Sequence, residues 1–159
     1  MHYYCIIILT LAFLCCSKTD KKINSKGQTA NNEVKVDSLC IKVSLHLKEI
    51  DDNIDNLSDD QILSFFDAFE EDFEDNAEVG EWRNELLYTL TQKYPDKIIR
   101  ALEKSRVNKN YVYFDFENPI HDGIDVSITY QQIKKVKSTS PEKDSVLFYL
   151  SKAIKKIEH

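Results

Sequence analysis

Glycine and proline are scarce in this chain, with three of each in 159 residues. Sandwiches and barrels built from short strands need turn chemistry about every ten residues, so that scarcity excludes them. There is no phosphate-cradling glycine loop, no nucleophile elbow, no helix carrying paired histidines and no CxxC. The common enzyme signatures therefore have nothing to attach to, which weighs against an enzyme without deciding the question. Cysteine is nearly absent from the body: three of the four lie within the first 16 residues, leaving Cys40 without an intramolecular partner. Cys40 falls on an apolar helical stripe and reads as a buried filler residue. Positive charge is in the minority, 21 basic against 27 acidic residues for a formal charge of −6. Phosphate binding needs a basic face, so nucleic acid is excluded as a partner.

Lys, Arg, Asp and Glu are missing altogether from the first 16 residues, MHYYCIIILTLAFLCC, where only the α-amino group and His2 could supply positive charge. Ile6 to Leu14 is nearly all aliphatic or aromatic, the length of a signal-peptide core and well short of the roughly 20 residues that cross a bilayer. The sequence FLCCS that closes the run resembles the lipobox of bacterial lipoproteins. With Cys16 as the invariant cysteine, Phe13 stands at minus three, Leu14 at minus two and Cys15 at minus one. Taking Cys15 instead puts the bulky Leu14 where a small residue belongs. The resemblance covers residues 1–16 only, and no family is recognised for the rest.

That resemblance implies removal of residues 1–15 and a mature N-terminus at Cys16. The Cys16 thiol would carry a diacylglycerol thioether and its amine a further acyl chain, anchoring an exported protein in the cell envelope. Each buried methylene adds about 0.8 kcal/mol, and a single chain holds a membrane only reversibly. The lipid bilayer is thus the first expected partner. Residues 16–33, which include the polar run SKTDKKINSKGQTANNE, then read as the lipidated N-terminus and a flexible tether.

Residues 34–159 read as a single all-α domain. About six helices in a compact antiparallel bundle, or a short HEAT-like solenoid, account for the periodicity. The first is expected over Val34 to Ile50, with Val36, Leu39, Cys40, Val43, Leu47 and Ile50 on one face. His46 lies off that stripe and reads as a surface or boundary histidine. Asp51, Asn53 and Asp55 alternate as in a calcium loop, but Asn56 and Ile62 stand where such a loop needs glycine and a bidentate glutamate. Ser58 to Gln61 form a capping box that starts the second helix, with Ile62, Phe65 or Phe66, Phe69 and Phe73 inward. Glu70, Glu71, Glu74 and Glu78 share its outer side, a solvated acidic face or a docking face for a basic partner.

Gly80 is expected to interrupt, with a third helix over Glu81 to Tyr94 and a fourth from Pro95. A fifth is expected over Val126 to Lys137 and a sixth from the Ser140 cap, with Lys152, Lys155 and Lys156 at its end. Between them, aromatic alternation at Tyr111, Tyr113, Phe114 and Phe116 predicts an ordered loop or short strand near 111–124. Asp115, Glu117, His121, Asp122 and Asp125 make this the one segment whose residue types fit chemistry. Five such groups within eleven residues suit a divalent metal or a general acid and base pair. The competing reading makes Asp122 and Gly123 a turn, Asp125 a helix cap, and Tyr113 and Phe116 packing residues.

Three functions follow as expectations. A membrane-anchored helical domain that binds another protein leads, an immunity-type inhibitor of a secreted toxin being one form of it. A hydrolase or metal-dependent enzyme using the 115–125 segment is the second. A ligand pocket lined by Trp82, Tyr111, Tyr113 and Phe116 is the third. No catalytic residue, metal ligand or cofactor is assigned.

Overall fold

A computed structural model describes residues 30–69 and 76–158, with side chains from residue 41 onward. Among the described residues there are seven α-helices, one 3-10 turn and no strand. Helix α1, Ala30–Asp52, enters the core through the fully buried Leu47 and Ile50, with Val43 packed beside them. His46 is half-buried on its flank, its Nε2 lying 2.8 Å from the Ser64 carbonyl oxygen. That contact ties α1 to α2, Asp59–Phe65.

The capping box forms as the sequence requires: the Gln61 amide donates to Ser58 Oγ at 3.2 Å, and the Ser58 amide donates back to Gln61 Oε1 at 3.0 Å. Helix α2 is short, however, and tightens into a 3-10 turn over Phe66–Phe69. The tightening turns Phe65, Phe66 and Phe69 inward together. All three are fully buried, with Phe65 edge-on to both others at 5.6 Å between ring centroids. Burial of each phenylalanine contributes about 1.5–3 kcal/mol before entropy is counted.

Helix α3 spans Ala77–Lys93, starting four residues earlier than the sequence suggests. Asn76 Oδ1 caps it by accepting the Val79 amide at 3.1 Å, and Gly80 sits inside the helix without breaking it. A good cap offsets the propensity cost of one glycine, each being worth about 1 kcal/mol. Pro95 then opens α4, Pro95–Lys104, whose Ile98, Ile99 and Leu102 are fully buried. Lys97 and Arg100 on α4 reach Asp59 at 3.4 and 3.2 Å, holding α4 against α2.

The segment expected to be an ordered loop or short strand near 111–124 is helical in its first half. Helix α5 runs Lys109–Glu117, opened by Asn108 Oδ1, which accepts the Asn110 amide at 3.2 Å. The aromatics that looked alternating are two pairs at a spacing of three. Tyr113 and Phe116 face the core, while Tyr111 and Phe114 face solvent. Three-residue spacing returns a side chain to the same helical face, so the pattern suits a helix with two aromatic lines. Only 118–125 forms the ordered loop.

Helices α6, Val126–Lys135, and α7, Pro141–Ile157, complete the chain. Helix α6 stops two residues before Lys137, with Val136 as its cap. Helix α7 packs along both α5 and α6. It runs parallel to α5, for Lys109 pairs with Glu142 at 2.6 Å, Tyr113 stacks on Tyr149 at 5.3 Å, and Glu117 meets Lys156 at 2.7 Å. Its last turn lies beside the first turn of α6. The result is an all-α bundle with one continuous core from Leu47 to Ala153.

Candidate functional site

The five residues singled out between 115 and 125 lie in three different settings. Asp115 is on the inner side of α5, 5% exposed, facing α3. Arg83 meets it with two hydrogen bonds, Nε to Oδ2 at 3.2 Å and Nη2 to Oδ1 at 3.4 Å. The same guanidinium lies 4.5 Å over the Phe69 ring and donates to the Ala68 carbonyl at 3.4 Å. One half-buried arginine thus joins the aromatic turn, α3 and α5. Burial pushes the Asp115 carboxyl above its ordinary range, and the attraction of Arg83 offsets this only in part.

Beside that pair the fully buried Asn84 spends its whole amide on the chain leaving α5. Its Nδ2 donates to the carbonyls of Asp115 at 3.1 Å and Asn118 at 3.2 Å, while its Oδ1 accepts the Ile120 amide at 3.2 Å. Tyr88 adds a hydroxyl donated to the Phe116 carbonyl at 2.8 Å. Its phenol is held well above the usual range by burial, then by the nearby Asp115 charge. These bonds satisfy the backbone groups that the end of a helix leaves open.

Glu117 points the other way, to α7, and is bridged by both Lys152 and Lys156. Hydrogen bonds from Lys152 and then Lys156 hold its carboxyl below the ordinary range. Asp125 caps α6, its Oδ1 accepting the Ile128 amide at 2.8 Å. Its carbonyl also accepts the Thr129 hydroxyl at 3.0 Å, and the Gln92 amide of α3 donates to Thr129 Oγ1 at 2.9 Å. His121 and Asp122 stand alone in an exposed turn, closed where the Ile124 amide donates to the His121 carbonyl at 3.0 Å. The structure therefore brings Asp115 to Arg83 and Glu117 to two lysines; Asp125 shares a cleft with His121, but among the described residues no hydrogen bond or ion pair joins a carboxylate to the His121 ring. Among the described residues no three His, Cys, Asp or Glu side chains converge as a metal set would require.

Two shallow clefts flank the turn. One, of about 360 Å³, lies between 122–127 and the end of α7 at Ile154, Ile157 and Glu158. The other, of about 240 Å³, lies between His121 and the α3 residues Glu85, Tyr88 and Gln92. Gly123, Ile124 and Asp125 form their common wall. Trp82, Tyr111, Tyr113 and Phe116 line neither. Phe116 is instead in the core, edge-on to Tyr88 at 5.8 Å.

Arg83, Asn84 and Tyr88 organise the segment, and sequence reasoning did not single them out. The available signal was that Asn84 stands four residues before Tyr88 and three before Leu87, on the apolar side of the helix. Cys16, Glu70, Glu71 and Glu74 lie outside the described residues, and the side chain of Cys40 does as well. Among the described residues no helix is long and apolar enough to cross a membrane. In comparisons with known proteins, no family model matches the chain, and no curated protein or solved structure does either.

Proposed function

We propose that the chain is an envelope lipoprotein, anchored to a membrane through Cys16, whose helical domain binds another protein. An immunity-type inhibitor is one form this reading takes. A single contrast supports it. In the segment whose composition most suits chemistry, Asp115, Glu117 and Asp125 are each committed to holding helices, while large apolar side chains elsewhere remain in solvent. Phe114 is 62% exposed and Phe148 58%, on the neighbouring helices α5 and α7. Aromatic side chains in such positions supply much of the energy of protein interfaces, whereas a lone exposed leucine carries no such meaning.

The anchor rests on the lipobox resemblance and gives the domain its place; the acidic body keeps nucleic acid out of the partner list. Labelled palmitate and a detergent pull-down test the two halves together. The parent chain is expected to take the label and to recover a stable complex, and Cys16→Ala to lose the label. Label retained on Cys16→Ala would defeat the anchor. A parent chain that stays monodisperse and captures nothing under mild cross-linking would defeat the interaction reading.

A further inference from the structure

The exposed line of helix α3 is acidic over its first half, before it passes to Thr89 and Lys93. Glu78, Glu81 and Glu85 follow one another along it at spacings of three and four, all exposed. Like charges at those spacings repel by a few tenths of a kcal/mol, and among the described residues no cation lies on them. Elsewhere on the body Asp52, Asp55, Asp59, Asp115, Glu117 and Glu142 each have a lysine or arginine partner, while others such as Asp60, Asp96 and Asp144 have none among the described residues.

The open line leads to the clefts at the 121–127 turn. Glu85 is the wall of the smaller one, facing His121 and Ile124. Across the shared wall the larger one adds Asp122 and Glu158, which also have no cationic partner among the described residues. Between these carboxylates the floor is aliphatic, made by Ile124, Val126, Ile154 and Ile157, and Ile157 is 64% exposed. An uncompensated acidic rim around an aliphatic floor fits a segment with apolar residues on one face and lysine or arginine beside them.

Resting on the protein-interaction reading, we infer that the paired clefts around Gly123 to Asp125 are the docking site of a basic amphipathic segment of the partner protein. The apolar face of that segment seats on Ile124, Ile154 and Ile157. Its cations meet Glu85, Asp122 and Glu158.

The test uses the full lipidated chain in detergent and a helical peptide of about 14 residues, roughly 21 Å long, with leucine on one face and lysine beside it. The peptide is expected to shift the amide resonances of Gly123, Ile124 and Ser127. Reversing two rim charges in Glu85→Lys/Asp122→Lys is expected to weaken it about tenfold, and so is added salt. A peptide with glutamate in place of lysine is expected not to bind. Both positions are exposed, and an unchanged circular dichroism spectrum checks that the double variant folds. Shifts centred on Phe114 and Phe148, or equal affinity for the double variant, would overturn the inference.

A photo-cross-linker in the anchored chain separates this from the parent reading. Adducts at Ser127 mapping to a basic amphipathic stretch of the partner support the docking site. Adducts only at Phe148, or at Ser127 to a stretch without that character, overturn the site and leave the interaction reading standing. Adducts at neither position overturn both.

Discussion

Arg83 and Asp115 form an ion pair whose removal in halves and whose removal as a whole should have opposite consequences. Their side chains are 13% and 7% exposed, so neither charge can recover full hydration if the other is lost. Breaking such a pair by removing one partner costs about 3–5 kcal/mol, while replacing both with apolar residues of similar total volume is often neutral or stabilising. The hydrogen bonds here are long, 3.2 and 3.4 Å, which places each half-removal at the low end, about 3 kcal/mol. Arg83→Met keeps a polarizable side chain on the Phe69 ring, and Asp115→Val fills the space between α3 and α5. Each alone should lower the stability measured by urea unfolding by that amount, with the double variant within about 1 kcal/mol of the parent. A double variant that loses the sum of its two halves would refute the account, since the pair would then contribute stability in its own right.

The same variants carry a dependence on pH. A carboxyl whose folded pKa lies above its unfolded value adds stability below the unfolded pKa, and that contribution is lost as pH rises through the folded one. Asp115 is such a group, raised from 3.8 by burial. Glu117 and Glu142 are lowered by their lysines, so their contribution is present above 4.5 and lost on acidification. The double variant removes only the first of these. Its stability relative to the parent should therefore improve as pH rises from about 3 through the raised Asp115 value, while both proteins keep the acid loss due to the two glutamates. A relative stability flat in pH would show that Arg83 fully balances the buried charge.

Two further changes test how the helices are held. At Gly80, in the first part of α3, an added Cβ would meet nothing within 4 Å, so Gly80→Ala should raise stability by about 0.5–1 kcal/mol in thermal unfolding, and a loss would show that the position is crowded. Asn84→Ala removes three hydrogen bonds of 3.1–3.2 Å and should cost about 2–3 kcal/mol. The Ile120 amide should then exchange faster with solvent, and unchanged protection there would mean that Asn84 does not hold the loop.

Legibility in the sequence followed the range of the interaction. Ser58 with Gln61, Ser140 with Pro141, and Pro95 act within one helical turn, and all of those boundaries were readable. Asn76 also acts locally, but Gly80, four residues on, reads as an interruption and Asn76 was not considered as a cap, although a glycine interior to a helix costs no more than a cap returns. Helix α5 was missed because four aromatics in six residues satisfy a period of two and a period of three about equally well. What separates the two is the set of partners supplied from elsewhere: Asn84 and Tyr88 from α3, Tyr149 and Lys152 from α7. Those lie about 30 residues away in either direction, and nothing local announces them.

The same distance explains why the 115–125 segment looked chemical. The carboxylates that perform acid and base catalysis are also the groups that cap helix ends and pair buried charges. Composition lists them identically; only their partners separate the uses. Here Asp115 looks inward to an arginine, Glu117 sideways to two lysines, and Asp125 along its own helix. Asp115 and Glu117 so committed pin α5 to α3 and α7, and they fix which of its two aromatic lines faces the core. Tyr111 and Phe114 are outside as a consequence. The polar residues of the segment therefore act at one remove, by setting which apolar side chains the domain leaves in solvent.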